Sequence, residues 1–306
     1  MESQVKNGLI VVNSNCSSNS TIENMVRKIY DSGKIGLIYS KNQSELNNVF
    51  GNQDYVIVVG GDGTVFSVVQ LIFGKDIIIG HLPTGTGNGL TNSLLHTKKM
   101  KITPDLKPVY KNLIEAIDER RIQKIDTLTI KLLNSNKIIH SFLFLSCGLF
   151  ANLDIKSEWL RFMGELRFTV GAIWELVKYS CCGNSFNGKL EYQDDEGEIV
   201  TVSGNFIFFL ASNLSHTSGS SITSPLSKPD DGFIYLSYLV EPTSSWNILN
   251  LLLGMEDGSY INRLSYVRTR WFRLEPEQGI YDIDGEVFDI EPVEVSISPK
   301  SLKVFI

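Results

Sequence analysis

Asp62 is an acid set among glycines, in the segment GGDGTVFSVVQ (Gly60–Gln70), and a second glycine-rich segment, LPTGTGNGL (Leu82–Leu90), follows soon after. Each comes straight after an apolar run and leads into residues that can form a helix. Turns of this kind gather backbone N–H groups, and the aligned peptide dipoles of a following helix add positive potential, so a phosphate is favoured there. A carboxylate in such a cradle is out of place unless it takes up a proton or helps hold a metal. Gly60, Gly61, Gly63, Gly85, Gly87 and Gly89 permit close backbone approach and positive φ. Thr64, Thr84, Thr86 and Asn88 offer hydrogen bonds to phosphate or ribose. The chemistry indicated is phosphoryl transfer. Plainer readings stand beside it: Asp62 as a turn-capping acid at a helix start, and each glycine as part of a tight turn. No GxxxxGK[ST] occurs, so a P-loop lysine is absent and cationic help has to come from elsewhere.

The elements that must position these residues are legible in the hydrophobic pattern. Strands are expected at Gly8–Val12, Lys34–Tyr39, Tyr55–Val59 and Ile77–Gly80. Helices are expected at Thr21–Tyr30, Ser44–Phe50, from Thr64, from Asn88 and at Tyr110–Glu119. Such alternation predicts a parallel sheet covered on both faces, with ligands at the carboxyl ends of the strands, where both glycine turns fall. From Arg121 the pattern changes to strands with turn punctuation, among them Ile122–Leu133, Lys137–Cys147, Glu198–Ser212, Ile280–Ile283 and Glu286–Ile290. Two helical passages interrupt them, Leu153–Tyr179 and Ser245–Gly254. The expected organisation is an α/β domain over residues 1–121 and a mostly antiparallel β domain over 122–306, whose final strand can return to the first.

Composition narrows the function classes. A chain of 306 residues with 42 % apolar and 10 % aromatic residues can bury a full core, and a net charge of −6 argues against nucleic acid as a partner. No continuous apolar run reaches the roughly 20 residues that span a bilayer. The start, MESQVKNGLIVV, lacks the features of a secretory signal. Cys16, Cys147, Cys181 and Cys182 show no metal-ligand spacing and read as free thiols of a cytoplasmic protein.

GGDGT, LPTGTGN and the late IDGE (Ile283–Glu286), in that order, resemble the diacylglycerol-kinase-type lipid kinase superfamily. Phe150–Gly171 (FANLDIKSEWLRFMGELRFTVG) and Trp271–Glu286 (WFRLEPEQGIYDIDGE) resemble the sphingosine kinases within it. The resemblance implies an α/β nucleotide-binding domain of phosphofructokinase/NAD-kinase type, joined to a β-rich lipid-binding domain. It implies ATP and Mg²⁺ as cofactors, a long-chain sphingoid base or similar lipid as substrate, and transient contact with a membrane surface by a cytoplasmic, peripheral protein.

Residue by residue, Asp62 matches the family's proposed general base. Arg161 and Arg167 match arginines that contact nucleotide phosphates; they lie six apart, with Gly164 between them as a place for a break. Asp284 and Glu286 match the turn used near nucleotide and metal, and hard oxygen ligands suit Mg²⁺. An Asp-Gly pair would also give a type I′ hairpin with exposed acids. Asp154 aligns with the carboxylate that reads the amine and hydroxyl head of a sphingoid base, and diacylglycerol has no cation to satisfy it. Phe150 and Leu153 stand beside it in the lipid-binding segment. Glu158, one turn along, can assist it or pair with Arg161. Phe168 matches an acyl-channel residue, and Val170, Ile173 and Trp174 match a membrane-touching patch. The chain departs from the family at its first phosphate loop. VVNSNCSSNSTIE retains Asn13 but has neither the proline nor the glycines, which puts nucleotide affinity in question more than fold. The expected activity is ATP-dependent phosphorylation of the primary hydroxyl of a sphingoid base. The alternatives are a diacylglycerol or related neutral-lipid kinase, and a catalytically weakened lipid-binding homologue.

Overall fold

A computed structural model describes residues 7–14, 20–31, 35–40, 43–47, 49–97, 105–156, 185–219 and 221–306. The chain forms two compact units: Met1–Ile125 together with Lys300–Ile306, and Asp126–Pro299.

In the first unit the strands β1 (Gly8–Asn13), β2 (Ile35–Ser40), β3 (Tyr55–Gly60) and β4 (Ile78–Pro83) are parallel, in the order β2-β1-β3-β4. The end of the last strand, β15 (Val293–Phe305), adds parallel to β4 through Lys303 and Val304. All six residues of β3, YVIVVG, are buried, as expected of a central strand covered on both faces. Helix α1 (Ser20–Asp31) presents Ile22, Met25, Val26 and Ile29, and α4 (Lys107–Asp118) presents Leu113, Ala116 and Ile117, to one core with Ile10, Ile57 and Leu82. Those spacings put each set on one helical face, and burying such a side chain contributes roughly 1.5–3 kcal/mol. Gly80 makes room for α4, since a Cβ there would lie 2.9 Å from Leu113 Cδ1. Helices α2 (Asp62–Ile72) and α3 (Gly89–Thr97) follow β3 and β4.

Two expectations shift here. The helix expected over Ser44–Phe50 is a short 3-10 turn, Gln43–Leu46. Leu46 and Phe50 anchor it, but the asparagines that follow favour turns over helix. Helix α2 begins at Asp62 rather than Thr64, with Gly61 as its N-cap in extended backbone.

The second unit is mostly antiparallel. Its strands are β5 (Ile122–Leu132), β6 (Ile138–Ser141), β7 (Phe144–Gly148), β8 (Phe186–Gln193), β9 (Ile199–Ser212), β10 (Ile234–Val240), β11 (Ser265–Thr269), β12 (Trp271–Pro276), β13 (Ile280–Ile283) and β14 (Glu286–Asp289). The order β14-β13-β7-β9-β8-β12-β15 carries β10 on β9 and β11 on β10, and β5 joins β15 to β6. The centre is β9. Its first half alternates in exposure against β8, whereas Phe206–Ser212 is buried throughout because β7 and β10 both pair with it. Rings fill this core: Phe186 on Phe206 at 5.5 Å, Phe209 on Phe272 at 5.5 Å and Phe208 on Tyr260 at 6.2 Å. Helix α5 (Leu149–Lys156) follows β7, and α6 (Ser245–Leu253) is capped by the Ser244 hydroxyl, which accepts from Asn247 N. The single strand expected over Lys137–Cys147 is instead two, β6 and β7, broken at Phe142–Leu143. Strand β11 was not foreseen from the pattern.

Candidate functional site

The two glycine turns meet backbone to backbone. Strands β3 and β4 end side by side, Gly60 opposite Pro83, and Thr84 N donates to Gly60 O at 2.9 Å. A Cβ built on Gly85 would lie 2.6 Å from Gly61 Cα, so any side chain at Gly85 would force the turns apart. Close approach, not positive φ, is what the glycines of these turns provide. The left-handed residue is Asn88, at φ +53°, a conformation asparagine tolerates. Asn88 also closes its own turn: Nδ2 donates to Gly85 O at 2.6 Å and Oδ1 accepts from Gly85 N at 3.1 Å. From α3, Asn92 Nδ2 donates to Gly87 O at 3.1 Å. The Gly85 and Gly87 carbonyls are thereby occupied by side-chain amides, while Gly85 and Thr86 stay exposed. Asn13, at the end of β1, donates to Thr64 Oγ1 at 3.0 Å, so the sequence-predicted set Asn13, Gly60, Gly61, Asp62, Gly63, Thr64, Thr84, Gly85, Thr86, Gly87 and Asn88 lies in one unit.

Asp62 reaches across to the second turn. Its Oδ2 accepts from Gly89 N at 2.8 Å and its Oδ1 from Leu90 N at 3.3 Å, the first amides of α3. It therefore caps a helix, as the plainer reading held, but the other turn's helix rather than its own. Burial pushes its carboxyl up to about 6, against the downward pull of the Gly89, Leu90 and Asn88 amides. The residue nonetheless keeps part of its surface accessible. A carboxylate of that basicity is better matched to receiving a proton near neutral pH than an ordinary aspartate. Two helix N-termini, of α2 and α3, open at the same place. That combination suits an anionic phosphate with a proton acceptor beside it.

Sequence reasoning missed His81 and Thr91. His81 stands in the apolar run of β4, and both residues are buried. Its Nε2 meets Gly60 O at 3.0 Å and its Nδ1 meets Thr91 Oγ1 at 2.7 Å. A histidine inside a buried strand was the only signal available.

In the second unit Asp284 and Gly285 form the tight turn between β13 and β14, with φ +53° and +87°, the two left-handed positions of a type I′ hairpin. The acids there are not both exposed. Asp284 is 2 % exposed. Its Oδ1 accepts from Ser141 Oγ (2.7 Å), Leu143 N (3.0 Å) and Phe144 N (2.9 Å), and its Oδ2 from Phe142 N (2.9 Å). Burial pushes this carboxyl up to about 7 against those four donors. This is what splits the expected long strand: Phe142 and Leu143 turn their amides onto Asp284 instead of into a ladder. A carboxylate so engaged does not fit a Mg²⁺ ligand, and among the described residues no three His, Cys, Asp or Glu cluster as a metal site. Glu286 is exposed.

Phe150, in α5, is buried edge-on between Phe144 (5.6 Å) and Phe208 (6.1 Å). Leu153 and Asp154 fall in the last turns of α5, which is described there for its backbone. Glu158, Arg161, Arg167, Phe168, Val170, Ile173 and Trp174 lie outside the described residues.

An α/β unit followed by a mostly antiparallel β unit is the architecture of the families that the chain matches. Residues 9–130 match the diacylglycerol kinase catalytic domain, and residues 145–306, more than half of the chain, match the YegS C-terminal NAD kinase beta sandwich-like domain. The chain belongs to the lipid kinase family of the diacylglycerol and sphingosine kinases. It is 24 % identical to sphingosine kinase 1 of Mus musculus over 295 residues, 82 % of this chain and 76 % of that protein. With sphingosine kinase 1 of Homo sapiens it shares 25 % identity over 293 residues, 81 % and 75 % of the two chains. A crystal structure of a diacylglycerol kinase from Bacillus anthracis str. Sterne superposes with a TM-score of 0.68 over 99 % of this chain and 98 % of that one. At 15 % identity that likeness speaks for the fold alone. No described helix is long and apolar enough to cross a membrane.

Proposed function

We propose that this lipid kinase uses ATP to phosphorylate the primary hydroxyl of a sphingoid base, with Asp62 as general base. The observation that carries the reading is the Asp62 carboxylate held at the junction of two glycine turns and two helix N-termini. In the proposed step the lipid hydroxyl gives its proton to a carboxylate oxygen of Asp62. The freed oxygen bonds to the γ-phosphorus, and the bond from that phosphorus to the β–γ bridging oxygen breaks, leaving ADP. Backbone amides of the glycine turns hold the phosphates, and their charge is stabilised by donors already in place rather than by reorganising water. Asn13, Thr64, Thr84 and Thr86 supply side-chain contacts, and Arg161 and Arg167 the cationic ones. Residues 1–121 form the nucleotide-binding half and 122–306 the lipid-binding half. Phe150, Leu153 and Phe168 line the acyl chain, Glu158 assists, and peripheral membrane contact delivers the lipid. Mg²⁺ accompanies the nucleotide as the family implies, and no step here is routed through it.

Substrate choice rests on Asp154, a carboxylate suited to an ammonium head group. A diacylglycerol acceptor is the second reading, suggested by the match of residues 9–130 to the diacylglycerol kinase catalytic domain. Labelled ATP offered with sphingosine and with diacylglycerol decides between them. The sphingoid reading expects sphingosine to be the better acceptor, and Asp154→Asn to lower its kcat/KM by roughly 10–100-fold, a loss in the range of a charged hydrogen bond. Preference for diacylglycerol, unchanged in Asp154→Asn, would overturn it. Failure of ATP to bind while lipid still binds would favour the weakened, non-catalytic homologue.

A further inference from the structure

We infer that His81 is a positioning residue of the nucleotide site, tying the end of β3 to helix α3 and so fixing the two glycine turns against each other. Its purpose rests on the phosphoryl-transfer reading; its geometry does not. The Gly60 carbonyl accepts from both Thr84 N (2.9 Å) and His81 Nε2 (3.0 Å). A carbonyl only accepts, so Nε2 carries the ring proton. Nδ1 is left to accept from the Thr91 hydroxyl at 2.7 Å. Burial lowers the ring's pKa to about 4, and this neutral tautomer therefore persists at the pH of the cell.

Two orientations follow from that one ring. In a trans peptide the N–H of Gly61 points opposite to the Gly60 carbonyl. Two donors on the β4 side hold that carbonyl, and so aim the first amide of the GGDGT turn the other way. Thr91, at the other end of the ring, lies in the first turn of α3, whose Gly89 and Leu90 amides hold the Asp62 carboxylate. His81 thus joins the strand end that orients a phosphate-binding amide to the helix that orients the proposed base. Neither His81 nor Thr91 belongs to the glycine pattern itself.

The test compares His81→Phe, which fills the ring volume without hydrogen bonds, with His81→Gln, whose amide can both donate and accept. Thr91→Val and Thr91→Ser form the second pair. Titration calorimetry with ATP and magnesium, steady-state kinetics and amide hydrogen exchange are measured on the full chain. His81→Phe is expected to weaken ATP binding about tenfold, the scale of one or two lost hydrogen bonds. KM for the lipid should stay unchanged. His81→Gln is expected to recover to within about threefold of wild type, Thr91→Val to fall between, and Thr91→Ser to match wild type. ATP binding by His81→Phe at wild-type strength, or His81→Gln no better than His81→Phe, overturns the inference. Should His81→Phe fail to fold, the Thr91 pair decides on the same scale. If wild type binds no ATP, the phosphoryl-transfer reading is what fails, and exchange at Thr84, Gly89 and Leu90 then decides the positioning role. Faster exchange in Thr91→Val than in Thr91→Ser supports it, and equal exchange overturns it.

Discussion

Asp62 and Asp284 are both taken out of water beside a glycine turn, and both accept main-chain amides from an element distant in sequence. Yet their surroundings differ. Asp62 accepts the Gly89 and Leu90 amides, its carboxyl is also drawn down by the Asn88 amide and its own, and the residue keeps part of its surface open. Asp284 is enclosed by four donors, three of them consecutive amides. The first arrangement keeps the acid in a partly accessible residue, as a proton acceptor requires. The second uses its acceptor capacity up in shaping a chain reversal. Both carboxyls are raised by burial, so a raised carboxyl alone does not separate a reactive acid from a structural one. The access does.

The widest separation is expected from Asp62→Asn. Asparagine keeps one acceptor oxygen but sets an NH2 against the other α3 amide, so a stability loss of about 1–2 kcal/mol is expected, while kcat falls about 10³-fold if the carboxylate is the base. A variant within tenfold of wild type would reduce Asp62 to a cap. Asp284→Ala is next. It strands the amides of Phe142, Leu143 and Phe144, and urea unfolding should show a loss of roughly 4 kcal/mol. Unchanged stability together with a lost Mg²⁺ dependence would instead restore the role of metal ligand to this turn.

The smallest effect is one of pH. With a pKa near 6, Asp62 gives kcat/KM an acid limb that falls tenfold per pH unit below about 6. Stability moves the other way. A carboxyl raised from 3.8 to about 6 in the native state stabilises it fully below pH 3.8 and loses that contribution as pH rises through 6. Activity and the Asp62 contribution to stability should therefore trade places over one window, and a profile flat down to pH 5 would break the assignment.

Much of this was legible in the residues. The buried strand before each glycine turn, and the change after the helix at Tyr110–Glu119, rest on hydrophobic periodicity, which the packing obeys. What was not legible depends on partners far along the chain. No local pattern at Lys137–Cys147 announces that Asp284 will pull three amides out of the ladder. The role of the glycines was half legible: their small size was clear, but the left-handed turn position went to Asn88, whose side chain closes the loop that glycine would leave slack. His81 reads as one more residue of a buried strand until Gly60 and Thr91 are found at its two nitrogens.

The last strand has a consequence for anyone dividing this chain. β15 begins among antiparallel neighbours and ends, at Lys303 and Val304, as the parallel partner of β4, bringing the Phe305 ring to 5.9 Å from Tyr55. A gene fragment stopping at residue 125 would encode a β4 edge stripped of its hydrogen-bonding neighbour and apolar cover, an invitation to aggregation. Splicing Lys300–Ile306 onto such a fragment would restore the parallel neighbour of β4, at the cost of cutting β5 and β15 within their length.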